Sequence, residues 1–384
     1  MTPMEPARTS DRIAGFDGLR ALAFLAVFAN HKLVVPQGDA LGAVGVWTFF
    51  ALSGFLITRM LARAREEVEV GRSAIWPALR RFYLRRTARI FPAYYALLST
   101  ALILSLFVYV DDFWIKEKLA YIFYATNILI GMRGVWINEF GHLWSLAVEE
   151  QYYLLFAPLV LLLPRRGAVP LCVAMMAASL ATFVALHMAH APLIVVYVNP
   201  LVNFGLLGFG GVVGLASVKP GSGAVPAWLT GGPAQAATAA CIIAAPIALG
   251  GWLTAWLTYG PAIVLFAGLL LFQVFHGQDS WFVALLESAP LRLVGRVSYA
   301  AYLFHPFIHF SILQRVLAAG GVRLAAPHPV QVLAELAATL LLCAVSWRLL
   351  EAPVIRWAAQ LSPPGPVRAV IPGAERGAAG APIG

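Results

Sequence analysis

Charged side chains are scarce in this sequence: they make up 12% of its 384 residues, whereas soluble domains carry about a quarter. Hydrophobic residues make up 60% of the chain, and the mean hydropathy is +0.79. A compact soluble core cannot bury so much apolar surface, so the composition excludes a chain of two or three soluble domains. It indicates a polytopic membrane protein.

Cysteines and familiar catalytic motifs are also few or absent. The three cysteines, Cys172, Cys241 and Cys343, lie in apolar runs, and no CxxC or other metal-binding spacing occurs. We therefore predict neither a disulfide framework nor a bound metal. The sequence has no GxSxG, P-loop or HExxH pattern, which excludes the commonest soluble hydrolases, nucleotide hydrolases and zinc proteases.

Ten apolar runs are long enough to cross a bilayer as helices, and they predict an all-α polytopic protein. The first run begins near Gly15 and lacks a small-residue cleavage site, so we expect it to be retained. The other nine lie at roughly 41–60, 90–110, 143–163, 168–188, 199–217, 235–253, 256–275, 293–312 and 331–350. A shorter apolar piece near 119–130 suits a re-entrant or interfacial segment.

Basic residues give these predicted spans an orientation. With a cytoplasmic N-terminus, twenty Lys and Arg residues fall inside and six outside, while Arg20 lies within the first span. Both termini are therefore predicted to be cytoplasmic, with residues 1–13 as a leading segment, 14–357 as the membrane domain and 358–384 as a disordered tail. Inside-facing loops account for the net charge of +9, so we predict contact with lipid and no nucleic-acid partner.

Ionisable groups within membrane spans are costly and mark functional sites. Arg20 and His31 are eleven residues apart, so they share nearly the same face of a helix, with roughly 16 Å of rise between them. A run of arginines precedes the third span, and Arg86 and Arg89 lie nearest the membrane. Arginine forks suit phosphate oxygens, which favours a phosphorylated ligand; the alternative is orientation and contact with anionic lipid.

Two further segments place polar groups in spans. Glu149 and Glu150 are adjacent and 100° apart on a helix, so one of them is expected to face the bundle interior. Glu149 is predicted to lie at the depth of His31, where a carboxylate orients an imidazole or stabilises its charge. His305 precedes Pro306, which predicts a kink, and the alternatives for His305 are catalysis, acceptor binding or packing.

Taken as a set, these motifs resemble the acyltransferase 3 family of integral membrane O-acyltransferases. The matching segments are 16–23 with His31, 49–58, 85–95 with its Arg-Ile-Phe-Pro core, 142–153, 298–306 and Glu351-Ala352-Pro353. The resemblance implies ten spans in a bacterial inner membrane and an acyl-CoA donor, usually acetyl-CoA, reached from the cytoplasm. It also implies a stand-alone membrane module, since we expect no hydrolase-like domain after residue 357.

The resemblance implies a role for each matching residue. Arg20 and His31 would be the essential pair and Glu149 their catalytic partner, while Arg20, Arg86 and Arg89 would bind the donor. The acceptor would contact four residues of the other motifs, namely Trp144, Ser145, Tyr302 and His305. We expect His31 to remove the proton from an acceptor hydroxyl as it attacks the thioester, with a covalent acyl-histidine intermediate as the variant.

Several alternatives stay open at the level of sequence. The acceptor can be a glycan, such as exopolysaccharide, O-antigen or lipo-oligosaccharide, or a macrolide, and the acyl group acetyl or longer. Intramembrane Arg, His and Glu also occur in proton-coupled transporters, although no two-half repeat is detectable. No permanently bound cofactor is predicted, and the sequence does not set the oligomeric state.

Overall fold

A computed structural model of the chain describes residues 12–33, 38–105, 117–137, 140–217, 225–249, 260–308 and 329–361. Within these ranges 86% of the residues are helical and none lies in a strand, which confirms the all-α prediction. The predicted N-terminal segment up to residue 11 and the predicted tail from residue 362 lie outside the described residues. Residues 358–361, assigned to that tail, continue a helix instead.

The first half of the chain supplies most of the site. Its described helices are α1 (Phe16–Lys32), α2 (Gly38–Glu69), α3 (Ile75–Ser105), α4 (Lys118–Ile122), α5 (Thr126–Arg133) and α6 (Leu143–Leu162). Helix α3 begins 15 residues before the apolar run predicted at 90, so the arginine run and that span form one continuous helix. Long straight-chain residues favour such a helix, and the arginines are thereby fixed relative to the membrane-facing segment.

The second half has more interruptions. After a single 3₁₀ turn come α7 (Ala168–Met188), α8 (Leu193–Val198), α9 (Pro200–Ala216), α10 (Ala227–Thr230), α11 (Gly232–Leu249), α12 (Gly260–His276), α13 (Trp281–Leu286), α14 (Ala289–Arg296) and α15 (Ser298–Phe304). A 3₁₀ turn, His305–Phe307, follows α15, and the last described part holds α16 (Pro329–Ser346), a π turn (Trp347–Glu351) and α17 (Ala352–Leu361).

Four helical stretches of the described chain are long and apolar enough to cross a membrane. They are Leu41–Glu69, Leu143–Leu162, Arg165–Met188 and Pro329–Leu361. Three shorter apolar helices accompany them at Pro200–Ala216, Gly232–Ala244 and Ile263–His276. Length and composition therefore support a multi-pass protein.

Two predicted segments are divided into shorter pieces in the structure. The run predicted as one span at 293–312 breaks at Val297 and again after Phe304. The second break follows from Pro306, which cannot donate the next helical hydrogen bond. The positions from 309 onward in that run, His309 among them, lie outside the described residues. The piece near 119–130 is two short helices joined at Tyr124, whose φ of 51° is left-handed.

Close helix approach fixes the position of α1 and α2. Helix α1 packs against α2 and α14, and α2 packs in turn against α9. A Cβ atom on Gly54 would overlap the backbone of Leu207, and one on Gly295 would overlap the backbone of Asp17. These glycines allow backbone-to-backbone contact, as small residues do between membrane helices. The charged residues of α1 are thereby held in a narrow space between neighbouring helices.

Candidate active site

Two cavities adjoin α1 and meet at Val46 and Tyr302, which line both. The His31 cavity has a volume of about 900 Å³, and its polar and aromatic walls include Asn30, His31, Lys32, Trp136, His142, Trp144 and Tyr197. The arginine cavity has a volume of about 120 Å³, and its walls include Arg20, Ser53, Arg86, Arg89, Ser145, Glu149 and Tyr153. The predicted charged residues are thus divided between two adjoining spaces.

Three arginines from two helices converge on the arginine cavity. Arg20 comes from α1, and its guanidinium nitrogen lies 3.1 Å from a carboxylate oxygen of Asp17. Arg86 and Arg89 lie one turn apart on α3, and the guanidinium of Arg86 is 5.4 Å from the centre of the Tyr153 ring. Three cations so close repel one another, so the cavity suits an anionic or strongly polarised ligand.

Glu149 faces the arginine cavity, whereas Glu150 does not line it. The Glu149 carboxylate accepts a 2.7 Å hydrogen bond from the Ser53 hydroxyl and a second one from Tyr153, one turn further along α6. Arg20 and Arg86 both attract this carboxylate. Glu149 therefore balances part of the positive charge of the arginine cavity.

Glu351, from the Glu-Ala-Pro segment near the end of the described chain, approaches the same cluster. It is 3% exposed, accepts a 2.8 Å hydrogen bond from Ser346 and attracts Arg89. The π turn at Trp347–Glu351 places this carboxylate against α3. Glu351, which the sequence identifies only as part of a motif, thus balances part of the positive charge of the arginine cavity.

His31 lies in the other cavity and is bonded to His305. Nδ1 of His31 is 2.7 Å from Nε2 of His305, and the two rings are within 10° of parallel. The predicted pairing of Glu149 with His31 is therefore not the one that the structure has. Glu149 belongs to α6 on the arginine side of Tyr302, while the break after α15 brings the His305 ring to His31.

His305 differs from its expected place as well. It is predicted to contact the acceptor, but its side chain has no exposed surface and lies behind His31. Phe24 and Phe28 of α1 contact its ring, with centroid separations of 5.9 and 6.3 Å. An acceptor in the His31 cavity can therefore contact His31, whereas the buried His305 can affect the acceptor only through its hydrogen bond to His31.

Ser145 and Tyr302 form the boundary between the two cavities. Their hydroxyl oxygens are 2.7 Å apart, and the Tyr302 hydroxyl also donates to the His142 carbonyl at 3.1 Å. Both residues are buried, with 5% and 6% exposure. Of the four residues predicted to contact the acceptor, Trp144 lines the His31 cavity and Tyr302 lines both cavities, while Ser145 lines only the arginine cavity.

An aromatic wall covers one side of the His31 cavity. The ring centre of Tyr197 is 4.7 Å from that of Trp144 and 5.9 Å from that of Trp136. Sequence reasoning missed Trp136 and Tyr197, because both lie in short segments outside the recognised motifs. Asn30 and His142 also line this cavity. Asn30 precedes His31 in the sequence and His142 begins the matching segment 142–153, so position in or beside a motif is the signal that finds them.

Lys32 has a partner that the sequence does not predict. Its ammonium group lies 2.9 Å from a carboxylate oxygen of Glu335 in α16, and each side chain is 5% exposed. The same nitrogen donates a 2.7 Å hydrogen bond to the Ile308 carbonyl. These contacts tie the end of α1, next to His31, to α16 and to the turn that follows His305.

Comparisons with known proteins agree with the resemblance. A family model for the acyltransferase domain of the acyltransferase 3 family matches residues 13–348. The peptidoglycan O-acetyltransferase OatA of Listeria monocytogenes is 26% identical over 366 residues, which are 89% of this chain and 56% of that protein. The O-acetyltransferase OatA of Staphylococcus aureus strain NCTC 8325 is 29% identical over 371 residues, 89% of this chain and 57% of that protein.

Another relative, from Staphylococcus aureus strain COL, is 35% identical over 158 residues, which are 39% of this chain and 24% of that protein. The chain thus spans between 24% and 57% of the length of these curated relatives. No solved structure matches the chain.

Proposed function

Because the chain belongs to the acyltransferase 3 family, we propose that it transfers an acyl group, acetyl foremost, from acyl-CoA to a hydroxyl of a bacterial surface glycan. Acyltransferase activity follows from the family, and O-acetylation is supported by the names of the relatives, one of which is a peptidoglycan O-acetyltransferase. The observation that carries the proposal is the meeting, at Tyr302, of an arginine cavity and a cavity walled by an imidazole.

The donor fits the arginine cavity only in part. About 120 Å³ is far below the roughly 300–1,000 Å³ of pockets that enclose drug-sized ligands, so this space takes the thioester and the end of the pantetheine arm. Arg20, Arg86 and Arg89 are the residues that would hold the donor there. The nucleotide end would meet Arg80, which is exposed near the start of α3 and suited to phosphate.

The acceptor fits the His31 cavity. About 900 Å³ is enough for one or two sugar rings, and the aromatic faces of Trp144 and Tyr197 suit the apolar faces of a pyranose. Asn30 and His142 offer polar groups for hydroxyl recognition. Exopolysaccharide, O-antigen, lipo-oligosaccharide and peptidoglycan all carry such rings, while a macrolide is the alternative acceptor.

The chemistry joins the two cavities. His31 Nε2 takes the proton of the acceptor hydroxyl as its oxygen bonds to the thioester carbonyl carbon. The carbon–sulfur bond then breaks, and CoA leaves as a thiol after receiving that proton from the imidazolium. The cations of the arginine cavity stabilise the negative charge that develops on the carbonyl oxygen. For the acyl group to reach His31, the contact between Ser145 and Tyr302 must open.

This mechanism fits the proposed topology of ten spans in the inner membrane with both termini cytoplasmic. In that arrangement, the arginines of α3 face the pool of acyl-CoA in the cytoplasm. His31, which lies about 16 Å beyond Arg20 along α1, faces the compartment in which surface glycans are assembled.

Surface glycans of a deletion strain test the acceptor class. Mass spectrometry of glycans from cells lacking the gene should reveal the loss of an acyl increment, which the wild-type gene restores and the His31→Ala gene does not. If all glycan fractions keep their acyl groups and a macrolide loses its own, the acceptor is the polyketide. If no acyl group is lost anywhere, the proposal is overturned.

A further inference from the structure

The contact between His31 and His305 has the geometry of a hydrogen bond within one plane. Parallel rings that stack face to face cannot bring two atoms closer than their van der Waals separation of about 3.5 Å. The nitrogens of this pair are 2.7 Å apart while the ring centres are 4.9 Å apart. The nitrogens therefore lie between the two rings, edge to edge, and one of them carries the shared proton.

Pro306 determines which nitrogen of His305 carries a proton. In a continuing helix the carbonyl of Tyr302 would accept from the backbone N–H of residue 306, but proline has none. Nδ1 of His305 occupies that place, 2.8 Å from the Tyr302 oxygen and 3.2 Å from the Ala301 oxygen. A carbonyl oxygen only accepts hydrogen bonds, so Nδ1 of His305 must be the donor.

The proton on Nδ1 leaves Nε2 of a neutral His305 as an acceptor. Phe24, Tyr302 and the imidazole of His142 surround the ring, which has no exposed surface, and a positive charge in such surroundings is costly because none of the three is a counter-ion. Nε2 of His305 therefore accepts from His31, and Nδ1 of His31 is the donor. The lone pair of His31 is then on its Nε2, the nitrogen that a general base needs.

We propose that His305 is the positioning residue of His31, in the role that a carboxylate has in a Ser-His-Asp triad. It fixes the tautomer of His31 and the plane of its ring. When His31 takes a proton, the new positive charge is shared along the hydrogen bond toward the carbonyls of Tyr302 and Ala301 at the end of α15. This inference rests on the proposed function, in which His31 is the base.

Two substitutions of His305 separate positioning from packing. His305→Phe keeps a ring of similar size but removes the acceptor, so it should lower kcat by about 10²–10⁴-fold, the usual contribution of a positioned base, and leave the KM for acetyl-CoA unchanged. His305→Gln can place its amide oxygen where Nε2 lies, and it should recover most of kcat. His187→Phe and His187→Gln, at an exposed position in α7, are the matched controls and should leave both constants unchanged.

Full kcat in His305→Phe would overturn the inference, and so would equal inactivity of a folded His305→Gln. If His305→Phe does not fold, nitrogen NMR of isotopically labelled histidine in the wild-type protein decides, with His31→Gln identifying the His31 signals. A proton on Nδ1 of His31 is expected, and a proton on Nε2 would overturn the inference. Activity in His31→Gln would instead refute the proposed function, so the two failures are distinguishable.

Discussion

At the scale of single residues, Arg89 offers a clear test of donor binding. Arg89→Ala removes one cation from the arginine cavity and should raise the KM for acetyl-CoA. A hydrogen bond to a charged group contributes about 1.5–3 kcal/mol, so the expected rise is roughly 10- to 100-fold, with a smaller change in kcat. Steady-state kinetics with varied acetyl-CoA measure this change.

Arg85→Ala is the matched control for Arg89→Ala. Arg85 lies on the same helix, is exposed and does not line the cavity, so its removal should leave the KM for acetyl-CoA unchanged. Equal effects of the two substitutions would mean that Arg89 acts only through the general positive charge of α3.

The sequence predicts which charged residues are functional, but it does not predict which side chains they contact. Arg20, His31 and Glu149 are identified because a chain with 12% charged residues has little reason to place charge in apolar runs. Helical spacing relates residues within one helix only. The bond between His31 and His305 joins residues 274 apart, and it depends on how α15 ends, which spacing cannot give.

At the scale of helices, Gly54 is expected to control the approach of α2 to α9. Gly54→Ala places a methyl group against the Leu207 backbone, which cannot move as a flexible side chain does. Overpacking of this kind costs about 1–3 kcal/mol, so the melting temperature in detergent should fall. Gly131→Ala is the control, because its methyl group would make an ordinary 3.7 Å contact with Val198. Equal melting temperatures for the two variants would show that α2 and α9 can move apart to accommodate the methyl group.

The sequence predicts the apolar runs better than it predicts the helix boundaries within them. The runs at 143–163 and 168–188 agree with α6 and α7 to within a residue. The run at 293–312 is apolar enough for one span, yet Val297 and Pro306 divide its described part into shorter pieces. Hydropathy reports where lipid-compatible residues are, while backbone hydrogen bonding decides where a helix ends.

At the scale of the whole molecule, the proposed topology is open to direct test. A green fluorescent protein fused to the C-terminus should fluoresce, because it folds in the cytoplasm, and alkaline phosphatase fused there should be inactive. Phosphatase fused after Arg133, which the positive-inside pattern places outside, should be active. The reverse result at either position would contradict the topology of ten spans.

His31 is the proposed base in acyl transfer from acyl-CoA, and the whole mechanism depends on it. The most direct measurement is transfer of a radiolabelled acetyl group from acetyl-CoA to a glycan acceptor by the purified protein in lipid nanodiscs, comparing wild type with His31→Ala. The wild-type protein should transfer the label. His31→Ala should remain folded in the membrane and transfer none above background. Transfer by a folded His31→Ala at the wild-type rate would contradict the account.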